Sequence, residues 1–374
     1  MASTAVIFGG PSPEHDVSIL TGLQAARAFG APGSDQLPLA LYWSKTGAWF
    51  QVDPMLEGKD FADGVPKAKA ELRLVTGPGG GFVTAGRGPF GRERPLEIDV
   101  AVNCCHGGPG EDGTLQAALD LAGVAYTGPS VAGAALGMDK LAFGDVVAAA
   151  GLPSLARAIL DGDGDPIAAP GPYIVKPRFG GSSIGIDVVA DMETARARLA
   201  VNPHLRRGAV VEPFRPDLVD LQVAVRTWPE LALSAIERPV RSSTSSEIYG
   251  YADKYVGGEG MASAPRELPA KLSPELEAGV RAAATTLCRL CGVRGVARVD
   301  FLCDLASGEL FVNEINTIPG SLSKHLWVEP EVPMRQLLSD MVTEARSRPS
   351  SQHISMGADG SVLRSAASIA AKLG

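Results

Sequence analysis

The sequence predicts an α/β fold, with an α+β arrangement in its second half, on three observations. The apolar run from Ala5 to Phe8 ends at Gly9-Gly10 and is followed by helical spacing and then another apolar run, a strand–helix–strand order. The stretch from Ile98 to Cys105 is apolar except for Asp99 and Asn103, the pattern of a parallel strand covered on both faces. From Val210 onward, short apolar strands surround a single long helix, which suits a largely antiparallel sheet.

In chain order, Ser18 to Phe29 has the 3.6-residue spacing of a helix, and Leu37 to Trp43 reads as the next strand. Residues 53–97 are rich in Gly, Pro and charge, with a hairpin expected around Leu72 to Val83. Leu115 to Leu121 reads as a helix and Ala125 to Thr127 as a short strand. A second unit starts near Ser130, where the helix from Lys140 to Ala150 stops at Gly151-Leu152-Pro153. Tyr173 to Lys176 and Val210 to Glu212 are strands, and Met192 to Ala200 is a helix. Leu221 to Trp228, Leu231 to Ile236, Arg298 to Cys303 and Leu310 to Ile315 form the antiparallel set, interrupted by a helix from Pro274 to Leu290. A Ser-, Gly- and Ala-rich tail follows Arg348, with a short helix expected from Ser361 to Leu373. The expected division is 1–129, 130–209, 210–348 and the tail 349–374.

A chain of 374 residues with 45% hydrophobic and 20% charged residues has the composition of an ordinary globular protein with several cores. A formal net charge of -8 disfavours a nucleic-acid or anionic-membrane surface. No run approaches the roughly 18 apolar residues of a membrane span, and the first residues lack the basic leader of a signal peptide. The 5 Cys suit a reducing cytoplasm better than a disulfide framework, and Cys288 and Cys291 read as buried thiols of a helix.

Chemistry is concentrated at strand ends. Asp300, Glu314 and Asn316 are hard oxygen donors on two short apolar strands, where a plain core would not place them. Glu314 and Asn316, two apart, point to one face. Such a set suits Mg²⁺ against phosphates, or else the polar face of a half-exposed hairpin. Lys176-Pro177 runs into Gly180-Gly181-Ser182-Ser183-Ile184-Gly185, a loop whose N–H groups can wrap phosphate oxygens, or a hairpin with an incidental Lys. Glu212, Pro213 and Phe214 end a strand that would face an adenine, or water, with Asp220 within reach of a ribose. Glu14 lies between a strand and a helix, where α/β sheets place ligand groups, and suits a substrate ammonium; its neighbour Asp16 reads as a first-turn acid. His106 and Glu111 stand in a Gly-rich loop at the same end of the sheet, so His106 is either substrate-facing or structural.

Taken together, these segments resemble the D-alanine–D-alanine ligase family of the ATP-grasp superfamily. The resemblance rests on Gly9-Gly10 through Glu14-His15-Asp16-Val17-Ser18, His106-Gly107 through Glu111-Asp112-Gly113-Thr114, and Met138-Asp139-Lys140. It continues with Lys176 through Gly185, Tyr249 through Lys254-Tyr255, and Arg298-Val299-Asp300 through Asn313-Glu314-Ile315-Asn316-Thr317-Ile318-Pro319-Gly320. These motifs stand in family order over residues 4–328.

The resemblance implies an N-terminal Rossmann-like α/β domain followed by two α+β subdomains that enclose ATP. It implies Lys140 and Lys176 on the phosphates, with Ser183, Lys254, Glu212, Phe214 and Asp220 completing the nucleotide site; the family more often has Glu at the Asp220 position. Asp300, Glu314 and Asn316 match the ligands of two Mg²⁺ ions, for which Mn²⁺ can substitute. Glu14, Ser182 and Tyr255 match a triad that ties a lid, residues 238–258, to the site. Arg298 and the Gly320 N–H match the oxyanion partners. The implied product is a dipeptide made through an acyl phosphate, for peptidoglycan precursor synthesis, by a cytoplasmic homodimer. One departure stands out. The run Ser321-Leu322-Ser323-Lys324-His325-Leu326-Trp327 places His325 where the family has a Ser for the second substrate's carboxylate. Ser321, His325 and Leu326 are therefore the expected second-substrate residues, and a related ligase with a different second substrate, in specialised metabolism, is the alternative. Tyr255 matches dipeptide-forming members, which favours an amine nucleophile. A non-catalytic nucleotide-binding protein is disfavoured by the retained Lys176, Arg298, Asp300, Glu314 and Asn316.

Overall fold

A computed structural model describes residues 3–30, 37–86, 92–161, 166–240, 266–348 and 355–365. The first sheet holds β1 (Ser3–Gly9), β2 (Leu39–Trp43), β3 (Trp49–Val52), β4 (Ala70–Val75), β5 (Gly81–Thr84), β6 (Arg94–Pro95), β7 (Ile98–Asn103) and β8 (Ala125–Tyr126). Their order is β6-β5-β4-β3-β2-β1-β7-β8. β1 runs parallel to β2 and β7, and β7 parallel to β8, as the continuous apolar run of β7 predicts. From β2 outward the strands form an antiparallel meander that includes the expected hairpin β4–β5. Helix α1 (His15–Phe29) covers β1 and starts three residues before the apolar spacing does, because His15 and Asp16 form its first turn. Asp16 is the first-turn acid, paired at 3.1 Å with Lys45. Ser18 joins the strand ends: its Oγ accepts from Gly9 N (2.7 Å) and donates to the Cys104 carbonyl (2.8 Å).

Helices α2 (Gly108–Glu111), α3 (Thr114–Ala122), α4 (Val131–Met138) and α5 (Lys140–Ala149) lead out of this sheet. Asp139 caps α5 by accepting the N–H groups of Leu141 and Ala142, and Arg178 grips the same carboxylate through two N–H bonds of 2.7 and 2.5 Å. The start of α5 is thereby fixed to the second sheet, β9 (Ala158–Ile159), β10 (Tyr173–Pro177), β11 (Asp187–Val189) and β12 (Ala209–Pro213), ordered β11-β10-β12-β9 and antiparallel throughout. This sheet continues to Pro213, past the division expected after residue 209. Helix α6 (Met192–Val201) packs on it, with Asp191 accepting the Thr194 N–H at 2.7 Å as its cap.

The third sheet holds β13 (Val219–Arg226), β14 (Ala232–Pro239), β15 (Arg266–Glu267), β16 (Val296–Cys303) and β17 (Leu310–Asn316), ordered β15-β14-β13-β16-β17 and antiparallel. Its register sorts side chains by face. Ile236, Val223, Val299 and Ile315 stand opposite one another across four strands and join the core under α7 (Pro274–Leu290). One position along, Glu237, Gln222, Asp300 and Glu314 form a second line on the other face. Polar groups thus cross the sheet in a row while the alternate row is apolar. Cys288 on α7 and Cys291 just after it are buried, and burial pushes their thiols up to about 12 and about 11, so they are packing groups.

After β17 the chain makes a tight turn, Gly320–Leu326, in which Ser321, Leu322 and Ser323 are left-handed (φ 47, 50 and 49°). Three such L-residues in succession are strained. Leu322, Leu326 and Trp327, all fully buried, hold the turn in one core with Phe8 and Tyr42 of the first sheet and with Leu337 and Met341 of α8 (Met334–Ser347). Ser361–Arg364 is one exposed helical turn, and the rest of the helix expected to Leu373 lies outside the described residues.

Candidate active site

Two adjoining cavities lie where the three sheets meet. The first, between the second and third sheets, is walled by Leu155, Ile174, Ile186, Leu302 and Phe214, and receives Lys140, Lys176, Ser183, Asp220, Asp300 and Glu314. The second receives Glu14, His106, Glu111, Ser182, Arg298, Asn316, Gly320 and His325. Lys140, Gly180, Gly181, Gln222 and Glu314 line both, so the two spaces are continuous.

The cations of the first cavity are set by Glu212. Its Oε2 accepts from Lys176 Nζ (2.7 Å) and its Oε1 from Arg157 Nε (2.6 Å), on a side chain almost wholly buried. Burial alone would raise this carboxyl, but Lys176 and Arg157 beside it hold it down to about 2. Arg157 also donates to the carbonyls of Lys140 (2.5 Å) and Asn313 (2.9 Å), binding α5, β12 and β17 together. Sequence reasoning missed Arg157, whose loop carries no motif. Glu212, expected to face adenine, lines this cavity, and its two oxygens accept from these two cations. Lys140 Nζ donates to the Gly180 carbonyl and lies 3.8 Å from Glu314 Oε2; burial lowers its pKa against the pull of Glu314.

Asp300 is gripped by Arg298 through Nε–Oδ1 and Nη2–Oδ2 bonds of 2.6 and 2.7 Å, and accepts from Asn316 Nδ2 at 3.2 Å. Among the described residues no three His, Cys, Asp or Glu side chains converge as a metal cluster. The set Asp300, Glu314 and Asn316 fits Mg²⁺, which takes one or two carboxylates and fills its remaining positions with phosphate and water oxygens.

In the second cavity Ser182 donates to Glu14 Oε1 from a loop where Ser182 and Ser183 are left-handed (φ 52 and 58°). The loop approaches so closely that a Cβ on Gly181 would come within 2.9 Å of Glu14 Oε2, and one on Gly107 within 2.3 Å. A side chain at Gly181 would have to displace the Glu14 carboxylate, and at Gly107 φ +61° itself calls for glycine. Tyr255 and Lys254, expected nearby, lie outside the described residues, as does the expected lid beyond residue 240.

His106 is a positioning group with both nitrogens engaged. Nδ1 meets the Ile318 carbonyl at 2.7 Å and Nε2 meets Thr21 Oγ1 at 2.8 Å, while Thr21 Oγ1 accepts the Ser321 N–H at 3.0 Å. A carbonyl only accepts, so Nδ1 carries the proton and Nε2 accepts from Thr21. Burial lowers the ring to about 4, keeping it neutral. Glu111 holds the same loop from the other side, accepting from Ile318 N (2.9 Å), Thr317 Oγ1 (3.1 Å) and Gly107 N (2.9 Å). Burial and the nearby Glu14 push it up to about 7 against these donors.

Of the expected second-substrate residues, His325 lines the cavity. Leu326 does not: its side chain is fully buried in the core with Phe8 and Trp327, where an apolar group gains most. Ser321 is also off the cavity wall, its N–H taken by Thr21. Two neighbours of His325 went unnoticed in the sequence. Glu237 and Gln222 are polar side chains within largely apolar strands, and that is the signal that marks them. His325 Nε2 meets Glu237 Oε2 at 3.0 Å, and Arg266 Nη1 lies 3.0 Å from Glu237 Oε1. Burial would raise Glu237, but His325 and Arg266 bring it below the usual range.

Comparison with known proteins agrees with this geometry. A model described as D-ala D-ala ligase N-terminus matches residues 3–129, and one described as D-ala D-ala ligase C-terminus matches residues 169–343. A D-alanine–D-alanine ligase of Methylobacterium sp. (strain 4-46) is 32% identical over 366 residues, covering 92% of each chain. One of Corynebacterium aurimucosum is 31% identical, covering 92% of this chain and 97% of its own. Among solved structures, the D-alanine–D-alanine ligase from Helicobacter pylori superposes with a TM-score of 0.70 at 23% identity, over 94% of this chain and 100% of its own. The VanG D-Ala:D-Ser ligase from Enterococcus faecalis gives 0.70 at 23%, over 91% and 98%. These structural likenesses establish the ATP-grasp fold.

Proposed function

The chain belongs to the D-alanine–D-alanine ligase family, and from that premise we propose that it joins two D-alanines at the expense of ATP, supplying the dipeptide for peptidoglycan precursors. The observation that carries this reading is the continuity of the two cavities at Lys140, Gly181 and Glu314, which lets a phosphate held in one meet a carboxylate held in the other. The VanG D-Ala:D-Ser ligase, named for another second substrate, shares the fold at lower identity and does not favour the alternative.

In this reading the nucleotide lies in the first cavity, with its base against the apolar wall ending at Phe214, its ribose toward Asp220 and its phosphates toward Lys140, Lys176 and Ser183. Asp300, Glu314 and Asn316 would hold Mg²⁺, which supplies neutralisation of phosphate charge; two ions are part of the reading. Glu14 receives the ammonium of the first D-alanine, and Ser182 keeps that carboxylate oriented. The first carboxylate takes the γ-phosphoryl group, and the second amine attacks the resulting acyl phosphate. Arg298 and the Gly320 N–H stabilise the oxyanion that forms. The roles expected of Lys254 and Tyr255 belong to the same reading and lie outside the described residues. The chain is divided, in the same reading, into a substrate-binding unit to residue 129 and two units that enclose ATP. It works in the cytoplasm as a homodimer.

The test supplies ATP, Mg²⁺ and D-alanine, and follows phosphate release together with product mass. Stoichiometric phosphate and D-alanyl-D-alanine are expected. Turnover with another amino-acid pair but none with D-alanine would overturn the reading.

A further inference from the structure

We propose that Gln222 contacts the transferring phosphoryl group, its Nε2–H donating to an oxygen of that group as it passes from ATP to the first amino acid. The inference rests on the ligase reading above and deepens it at the junction of the two cavities.

Among the residues common to both cavity walls, Lys140 brings charge and Glu314 belongs to the expected metal set. The Gly180 carbonyl accepts from Lys140, and Gly181 abuts Glu14. Gln222 is the neutral polar side chain of that junction. It is only 8% exposed. Among the described residues its carboxamide finds no hydrogen-bond partner, and neither Oε1 nor Nε2 is sealed off by packing. Register explains why. Gln222 stands opposite Glu237 on β14 and Asp300 on β16, and both carboxylates are engaged by other groups. Glu237 meets His325 and Arg266, while Asp300 accepts from Arg298 and Asn316. Leaving a buried carboxamide unpaired is destabilising, and the space this one opens on is the space the phosphoryl group must cross.

The chemistry of the position selects the donor end of the amide. Phosphoryl oxygens are acceptors, so they pair with Nε2–H and not with Oε1. A further carboxylate here, one strand spacing of about 4.8 Å from Glu237 and from Asp300, would repel an anionic group. A neutral amide donates without adding charge. Because Gln222 lines both cavities, one N–H serves the group at the γ position of ATP and again on the acyl phosphate. In that transfer a carboxylate oxygen bonds to phosphorus as the bond to the β,γ-bridging oxygen breaks, its electron pair leaving on ADP. Gln222 keeps its protons throughout.

The experiment compares the binding of ADP, which lacks the γ-phosphoryl group, with that of β,γ-imido-ATP, which carries it, each with Mg²⁺. Gln222→Met keeps the length of the side chain and removes its polar atoms. It should weaken the imido analogue by about tenfold while the ADP Kd stays within about twofold. Gln222→Glu, which accepts but cannot donate, should weaken the analogue at least as much, and it decides the question by the same criterion if the Met variant does not fold. With hydroxylamine in place of the second amino acid, D-alanine hydroxamate formation should fall together with dipeptide formation, by about 10- to 100-fold. Equal weakening of both nucleotides, or an analogue bound as tightly as before, would overturn the proposal. So would a loss confined to dipeptide formation, which would turn Gln222 toward the attacking amine. If the unaltered protein binds both nucleotides yet forms neither hydroxamate nor dipeptide, the ligase reading fails, while the phosphoryl contact is still decided by the binding comparison.

Discussion

Glu111 and Ile318, 207 positions apart in the chain, are joined by a 2.9 Å bond from the Ile318 N–H to Glu111 Oε1. Through this bond, and the His106 contact to the carbonyl of the same residue, the first sheet fixes the turn that the third sheet delivers to the site. Glu111 and His106 shift in opposite directions, so the junction leaves a signature in the pH dependence of stability.

Glu111 rises from 4.5 to about 7 on folding, so the folded chain holds its proton more tightly than the unfolded chain. Stability from this group is full below 4.5 and is lost as pH rises toward 7, by roughly 3 kcal/mol. Relative to Glu111→Gln, the unaltered protein should therefore lose stability across this window. Urea unfolding on either side of it checks this, and parallel profiles would refute it.

His106 falls from 6.5 to about 4, so the unfolded chain binds its proton more tightly. Its contribution grows as pH rises from 4 to 6.5, again by roughly 3 kcal/mol. The profile of His106→Phe should lack that rise. The same variant should lose activity, because Thr21 and Ser321 lose their anchor. Unfolding curves and steady-state rates measure the two effects separately.

Glu212→Leu leaves Lys176 and Arg157 buried without their shared carboxylate and should cost about 3–5 kcal/mol, with ATP binding lost. Because Glu212 is depressed to about 2, its stabilisation is complete above 4.5 and fades only as pH falls toward 2. Denaturant unfolding and nucleotide titration read the two effects.

Ser323→Gly should stabilise the chain by about 1–2 kcal/mol. It removes a left-handed L-residue (φ 49°) and a fully buried hydroxyl that has no hydrogen-bond partner in the structure. A lower urea midpoint would contradict the strain assigned to this turn.

Glu314→Gln keeps the shape of the strand end but removes a charge from the expected metal set, and turnover should drop by at least about 100-fold. Single-turnover phosphate release checks it; near-normal release would remove Glu314 from the metal site.

Much of this was legible in the sequence because apolar runs and Gly-rich junctions are local signals. The strand of Val100 and Val102, the helix under Val280 and Leu287, and the Lys176–Gly185 loop are each announced by their own residues. Contacts that depend on register are not. Nothing near Glu237 in the chain shows that Gln222 will bring it into line with Asp300, and nothing near Arg157 shows that three elements will converge on it. Leu326, expected at the substrate, is instead buried in the core with Phe8 and Trp327, a contact that its own stretch of sequence does not announce. Helix Met334–Ser347 starts after Pro333 with no capping side chain, and its buried face is Leu337, Leu338, Met341, Val342 and Ala345.

The row Glu237, Gln222, Asp300 and Glu314 turns the third sheet into a ruler. Neighbouring strands lie about 4.8 Å apart, so the residue paired with His325 and the acid beside Lys140 are separated by roughly 14 Å of hydrogen-bonded backbone. That spacing is common to every chain that keeps the register. Descendants of such a chain can therefore rework what the nucleophile meets, one strand near the sheet edge at a time, while inheriting the nucleotide end untouched.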